Sequence, residues 1–234
     1  MTKKFTTLEN EYYIIYCPEY LAEDLKPILE FSTTMLKENL SFFKEETYGE
    51  KIKASFFDNR EDFINRIHEL APNGNPPSWA SGCFYGGENQ ILIKNGNINE
   101  RFHTLAHESC HLLFSKFIYK NYKERLDWLD ESFAASFSGE LFNIINNNEF
   151  IDLVKLYINT EDLPNMNDIR MNKGNVLTKE YNAYHFFRII GKYLIDTNTD
   201  EELLELFNNE ERCLELGPTI LKTSIDYYKN KFNL

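Results

Sequence analysis

The chain has 234 residues, of which 42% are hydrophobic, and it contains 19 Phe and 14 Tyr. A chain of this length and composition can bury a substantial core, which excludes a largely disordered protein. The formal net charge is −12. This charge argues against nucleic-acid binding, which requires a basic surface for the phosphates.

The start of the chain and its cysteines bear on the cellular compartment. The stretch "MTKKFTTLENEYYIIY" lacks the apolar run of a signal peptide, because Glu9 and Glu11 interrupt it. No stretch has the roughly twenty apolar residues of a membrane-spanning helix. The four cysteines are scattered without a CxxC pair, which favours reduced thiols. We expect a cytoplasmic protein, or a secreted one if a leader has been removed.

The first part of the chain alternates between strand and helix patterns. In chain order the pattern predicts a strand at "YYIIYC", a helix over 25–43, a strand at "KIKASFFD", a helix at "EDFINRIHELA" ended by Pro72, and a hairpin at "GCFYGGENQILIK" that turns at "GGEN". Residues 1–98 are therefore expected to form an α+β lobe.

Helical patterns dominate after residue 98. A helix over 99–118, capped by Asn99, is followed by helices at "DWLDESFAASFSGELFNII", "EFIDLVKLYI" and "KEYNAYHFFRIIGKYLI", with a polar loop over 159–178 and two shorter helices at the end. We expect a single domain over 1–234, in which the helix over 99–118 separates the first lobe from a helical lobe over 119–234.

The helix over 99–118 contains the stretch "TLAHESCHLLF", which carries two histidines four residues apart. Residues at this spacing lie on one face of a helix, so His107 and His111 can bind one cation. Glu108 lies about 100° around the helix from His107, where it can act on a water molecule beside the cation. This is the HExxH pattern, in which imidazoles bind Zn²⁺ and the carboxylate is a general base.

A catalytic zinc site usually has three protein ligands and one open position. Residues 112–130 leave room for the first helix to end and for an antiparallel helix with "DWLDESFAAS" to return. His103 is excluded as a ligand beside His111, because eight residues of helix rise about 12 Å. Two ligands of one zinc ion lie within about 4 Å of each other. His103 is expected to lie at the surface or to support a ligand.

Taken together, His107-Glu108-x-x-His111 and Glu131 within "WLDESFA" resemble the gluzincin zinc metallopeptidases, the group that contains thermolysin and the zinc aminopeptidases. The resemblance covers about residues 104–135 and departs from the family at Ser132, where glycine is usual. It implies a zincin-like catalytic domain of the α+β class with one Zn²⁺ per chain. It also implies that Glu131 is the third ligand and that Glu108 is the general base.

In gluzincins a tyrosine or histidine on a later helix stabilises the oxyanion. The stretch "EYNAYHFFRIIGKYL" offers Tyr181, Tyr184 and His185. The resemblance favours Tyr184, because the stretch from it through "IGKYL" is similar to the tyrosine helix of gluzincins of this general size. Tyr181 is the alternative, since we expect it one turn earlier on nearly the same helix face.

The resemblance further implies that an extended substrate binds along an edge strand of the first-lobe sheet. "NQILIK" is the expected edge strand, with Glu88, Asn89, Gln90, Ile91 and Leu92 as candidate substrate-binding residues. An ordinary edge strand is the alternative. "GGENQILI" is similar to the GxMEN stretch of zinc aminopeptidases but lacks its methionine, and Glu88 could bind a free amine as the glutamate does there.

Three further residues are expected to have no part in the chemistry. Cys110 is expected to be a small buried core residue, His68 a surface or packing residue, and Trp79 a residue that lines the cleft or holds a loop.

The sequence thus predicts a zinc metallopeptidase that acts on a peptide or protein, with an endopeptidase favoured over an aminopeptidase. The alternative is a catalytically silent zincin-fold module that binds a peptide or protein. The presence of Glu108 argues against this alternative, because loss of the base is the simplest route to a silent enzyme. Substrate specificity and oligomeric state stay open.

Overall fold

The computed structural model describes residues 4–74, 76, 80–94, 102–140 and 147–234. The chain divides into two compact units, Met1–Lys116 and Phe117–Leu234. A five-stranded mixed sheet lies in the first unit, and the chain is therefore mixed α+β, as predicted.

The strands are β1 (Phe5–Glu9), β2 (Tyr13–Pro18), β3 (Ile52–Phe57), β4 (Gly82–Tyr85) and β5 (Gln90–Lys94). The described helices are α1 (Ala22–Phe42), α2 (Arg60–Leu70), α3 (Thr104–Phe117), α4 (Asp127–Phe137), α5 (Asn147–Lys155), α6 (Ala183–Thr197), α7 (Asp200–Phe207), α8 (Glu210–Leu216) and α9 (Ile220–Phe232). The predicted cap Asn99 and Trp79 lie outside the described residues.

The strand order is β1-β2-β3-β5-β4, with β2, β3 and β5 parallel and both outer strands antiparallel to their neighbours. Strand β1 is absent from the sequence prediction. Its sequence "FTTLE" has only two apolar residues, Phe5 and Leu8, and their spacing of three does not match the alternation of a strand.

The predicted hairpin is present, but the expected edge position of "NQILIK" is wrong. Strand β5 pairs with β3 on one side and with β4 on the other, so its backbone groups already have partners. Ile91 and Leu92 are fully buried, and Asn89 and Gln90 are less than 10% exposed. At this end of the described sheet, β4 is the outer strand and has a neighbour on one side only. The edge strand is therefore β4, the first strand of the hairpin, and not β5 as predicted.

The two faces of the sheet pack against different helices. Tyr13, Ile15 and Cys17 alternate along β2 and are fully buried, and the Tyr13 hydroxyl lies 2.9 Å from the Ser109 hydroxyl of α3. On the opposite face, α2 forms a core cluster with β5 through Phe63, Ile67 and Leu92, and Cys83 and Tyr85 of β4 pack against this cluster. Side chains of β4 therefore alternate between α3 and α2.

Helix α4 is shorter than predicted. It ends at Phe137, because Gly139 adopts a left-handed backbone with φ of 77°. Glycine in this conformation just after the last helical residues is a common helix stop. Residues 141–145 of the predicted helix lie outside the described residues.

Helix α6 begins four residues later than predicted. The Asn182 side chain caps it by accepting a hydrogen bond from the Tyr184 backbone amide. Tyr181 therefore precedes the helix, and the expectation that Tyr181 lies one helical turn before Tyr184 is wrong. The polar loop before α6 contains two short 3-10 turns, Met166–Asp168 and Met171–Lys173.

Two further observations concern the cysteines and the length of the helices. The four cysteines are free thiols, as expected. None of the helices within the described ranges has the length and apolar character needed to span a membrane.

In the second unit, Gly191 allows α6 to approach α4 closely. A Cβ atom at Gly191 would lie 2.0 Å from Ser136 Oγ and 2.5 Å from the Ser132 carbonyl oxygen. The second of these atoms belongs to the backbone of α4 and cannot rotate away. Only glycine fits this contact between the two helices.

We predict that Gly191→Ala lowers the free energy of unfolding by about 1–3 kcal/mol, because an added methyl group overpacks the contact. Helix propensity alone predicts the opposite sign, a gain of about 1 kcal/mol. Urea unfolding monitored by circular dichroism decides between them. An unchanged or raised stability would show that α6 and α4 do not require this close contact.

Candidate metal centre

His107, His111 and Glu131 form a group that could hold a metal ion. Each residue offers one ligand atom, and these atoms all lie within 4.8 Å of one another. His111 and Glu131 are buried, and His107 is half-buried. The structure therefore brings together the three residues that the sequence pattern and the resemblance selected.

The two histidines have the separation that a shared ion requires. Their Nε2 atoms lie 3.2 Å apart. Two ligands at about 2.0–2.1 Å from a tetrahedral zinc ion are about 3.3 Å apart. Two imidazoles and a carboxylate are also a donor set that zinc sites use. The residues thus fit a zinc ion, although the geometry alone does not select zinc over other divalent metals.

Phe84 of β4 holds the imidazole of His111 from one side. The two rings are stacked with centroids 5.1 Å apart and an interplanar angle of 18°. His111 is 4% exposed. Stacking against a strand residue restricts rotation of the imidazole and leaves its ring edge, with the nitrogen atoms, to face His107.

Glu108 lies next to the first histidine and is 8% exposed. Its carboxylate lies against the backbone of β4 at Gly82, where a Cβ atom would be 2.6 Å from Oε1. Cys83 is close enough for the charge of Glu108 to add to the effect of burial, and together they raise the pKa of the Cys83 thiol to about 12. Cys83 is therefore protonated at neutral pH and is not a reactive thiolate.

Arg125 organises the start of the helix that carries Glu131. Its Nε atom lies 3.1 Å from Asp127 Oδ1, and its Nη2 atom lies 2.7 Å from Asp130 Oδ2 and 4.0 Å from Glu131 Oε1. One guanidinium thus faces three carboxylates within five residues of sequence. Its charge reduces the repulsion among them.

Asp127 joins this cluster to the polar loop. Its Oδ2 atom accepts a hydrogen bond of 2.8 Å from the backbone amide of Met171. Burial raises the pKa of Asp127, while Arg125 and the Met171 amide act in the opposite direction. Trp128 anchors the same helix turn by donating a hydrogen bond of 3.0 Å to Asn167.

The residues set aside on the sequence have other surroundings. His103 contacts the rings of Phe31 and Phe102, with centroid distances of 5.0 and 5.6 Å. Cys110 is fully buried and accepts a hydrogen bond from Asn39. Neither belongs to the His-His-Glu group.

The candidate oxyanion donors lie just before α6 or in its first turn. The Tyr184 ring packs edge-on against Phe187, and its side chain is partly exposed. The Tyr181 hydroxyl donates to the Asn175 carbonyl oxygen at 3.2 Å. His185 Nδ1 lies 2.8 Å from the hydroxyl of Tyr157. Burial, with a smaller effect of Arg188, lowers the pKa of His185, so this imidazole is neutral at neutral pH.

No protein-family model matches the chain, and a search of curated proteins finds no match.

Sequence reasoning missed three residues around this group. Gly82 and Phe84 lie on β4, far from the histidines in sequence, and only the pairing of the sheet brings them to α3. Arg125 precedes a run of carboxylates, and a cation at that position is a signal that could have been found. A glycine inside a predicted strand, such as Gly82, is also a known sign of close backbone approach.

We predict that the wild-type chain binds about one zinc ion and that His111→Ala weakens zinc binding more than about 100-fold. This expectation follows because changes beyond the ligands themselves already cost about 10- to 100-fold. His103→Ala is the matched control, since it removes an imidazole one turn before His107. Competition with a chelator measures the affinities. Equal zinc affinity of both variants would exclude the His-His-Glu group as the metal site.

Proposed function

We propose that the chain is a zinc-dependent metallopeptidase of the gluzincin type with a zincin-like fold. The observation that carries the proposal is the His107-His111-Glu131 group, with Glu108 on the same helix as the two histidines. Spacing, donor types and the buried carboxylate beside the ligands all match what hydrolysis of a peptide bond requires.

When bound, zinc supplies a Lewis acid that polarises the peptide carbonyl and lowers the pKa of a water molecule to about 7. Glu108 then accepts the proton of the attacking water and transfers it to the leaving amine. No side chain forms a covalent bond with the substrate in this mechanism.

Attack on the carbonyl places negative charge on its oxygen, and a hydrogen-bond donor in the site stabilises that charge. We assign this role to Tyr184 by resemblance to the tyrosine helix of gluzincins. Its support is the cap at Asn182, which makes Tyr184 a residue of the first turn of α6. Tyr181 has its hydroxyl engaged with the Asn175 carbonyl group, which disfavours it as a donor.

A peptide substrate would add to the sheet at β4 instead of β5. Strand β4 has a neighbour on one side only within the described sheet, and its Gly82 and Phe84 lie against the residues Glu108 and His111. Addition of a strand uses backbone hydrogen bonds and therefore suits peptides of varied sequence. Glu88, in the turn between β4 and β5, remains a candidate for binding a free amine.

We predict that Glu108→Gln lowers kcat by at least about 10²–10⁴-fold, because the general base is lost. Zinc content is expected to stay at the wild-type value, since Glu108 is not a ligand. The measurement is elemental analysis beside cleavage of a mixed peptide library, followed by mass spectrometry of the products.

Glu61→Gln, an exposed carboxylate on α2, is the control and should cleave like the wild type. Zinc binding without cleavage by the wild type would favour a silent peptide-binding module. Equal cleavage by wild type and Glu108→Gln would contradict the mechanism. The ends of the products separate an endopeptidase from an aminopeptidase.

We also predict that Tyr184→Phe lowers kcat by about 10²–10³-fold with little change in KM, which is the effect of removing an oxyanion donor. Tyr181→Phe is the matched control and should keep near-wild-type kcat. Steady-state kinetics on one peptide from the library measures both. The reverse pattern, with loss of kcat in Tyr181→Phe only, would transfer the role to Tyr181.

A further inference from the structure

Gly82 is the residue of β4 that faces Glu108. A Cβ atom there would lie 2.6 Å from Glu108 Oε1 and 2.9 Å from Thr104 Cγ2. Real Cβ atoms do not come this close to other heavy atoms. Glycine therefore allows the carboxylate of Glu108 to lie directly against the strand backbone.

The fold does not demand glycine at this position. Among the described residues, the glycines with positive φ are Gly49, Gly139 and Gly174. Gly82 is not one of them, so its backbone conformation is open to other residues. Glycine also weakens a strand, because it loses more conformational freedom on folding than residues with a side chain. The close approach of Glu108 is the feature of the structure that requires it.

We propose that Gly82 is a positioning residue for the general base: it keeps the Glu108 carboxylate against the backbone of β4, on the face of the strand towards α3 and beside a peptide paired with that strand. This inference rests on the proposed function. It goes beyond that function in one respect. The position of Glu108 relative to the scissile bond depends on β4 as well as on the HExxH helix.

The distances agree with this role. A peptide paired with β4 has its backbone about 4.8 Å from the backbone of β4. A base that acts through one water molecule needs hydrogen bonds of about 2.6–3.2 Å on each side of that water. A carboxylate in contact with the β4 backbone is thus within one bridging water of a paired peptide. A methyl group at position 82 would move the carboxylate out of this range.

The chain offers a matched control in the same hairpin. Gly87 lies in the turn between β4 and β5, and a Cβ atom there would meet no heavy atom within 4 Å. Gly82→Ala and Gly87→Ala make the same chemical change, but only the first adds an atom beside the base. Both atoms that face position 82 belong to the ends of side chains, so the protein can fold by moving them.

The experiment compares the two variants with the wild type on one peptide substrate. Gly82→Ala is expected to lower kcat by about 10- to 100-fold, because a displacement near 1 Å costs up to about 10²-fold. KM, zinc content and melting temperature are expected to stay near the wild-type values. Gly87→Ala should match the wild type in all four quantities. Wild-type kcat in Gly82→Ala, or loss of its zinc, would overturn the proposal.

A double-mutant cycle with Glu108→Asp tests whether position 82 acts through the base. The shorter aspartate leaves room for the added methyl group, so the two losses in kcat should combine to less than their product. Multiplicative losses would overturn the proposal. If Gly82→Ala alone does not fold, Gly82→Ala with Glu108→Asp should restore folding, and failure of both to fold would also overturn it.

The outcomes separate this inference from the proposed function. A wild type that binds zinc and cleaves no peptide contradicts the peptidase itself. A wild type that cleaves peptides, together with a fully active Gly82→Ala, leaves the peptidase standing and contradicts only the role of Gly82.

Discussion

Burial of polar side chains on α3 is the constraint on which the candidate site depends. A buried polar group costs free energy unless it has a partner. Ser109 donates to the Leu105 carbonyl oxygen at 2.7 Å, so its oxygen is left to accept from the Tyr13 hydroxyl of β2. Cys110 accepts from Asn39 of α1. These contacts fix the side of α3 that does not carry the histidines. They therefore restrict rotation of the helix about its axis.

A fixed rotation of α3 gives the HExxH pattern its geometry. The i,i+4 spacing places His107 and His111 on one face, but only the packing of the helix decides where that face points. The stack of Phe84 on His111 then restricts the imidazole itself. The pattern supplies the donors, and residues outside it supply their orientation, which is the usual division between metal ligands and their supports.

The carboxylate of Glu131 in the candidate site has a different kind of support. Asp127, Asp130 and Glu131 lie in the first turns of α4, and their mutual repulsion would oppose burial of this segment. Arg125 counters the repulsion, and the positive end of the helix dipole acts in the same direction. Partial desolvation lowers the pKa of Arg125, but the neighbouring carboxylates outweigh this effect and raise it, so the side chain is charged at neutral pH.

Local patterns predicted the elements that depend on local chemistry. Helix periodicity gave α1 and α2, β-branched and aromatic runs gave β2 and β3, and the i,i+4 spacing gave the two histidines. The wrong predictions concern the pairing of strands that are distant in sequence and the positions at which helices begin and end. Strand β4 lies at the edge of the sheet where β5 was expected. Helix α4 ends earlier than predicted because of Gly139. Helix α6 begins later than predicted because Asn182 caps it, so Tyr181 lies outside the helix. Strand order is set by contacts across the whole sheet, which periodicity does not encode.

The pairing register of β4 connects the core to the candidate site. Gly82 pairs with Ile93 and Phe84 with Ile91, so both face α3, while Cys83 pairs with Leu92 and faces the cluster on α2. A slip of one residue would exchange the two faces and place a cysteine side chain against Glu108. The apolar contacts of Cys83 and Leu92 with α2 oppose such a slip. Packing on the face of the sheet opposite α3 therefore determines that glycine meets the carboxylate and that an aromatic ring meets the imidazole.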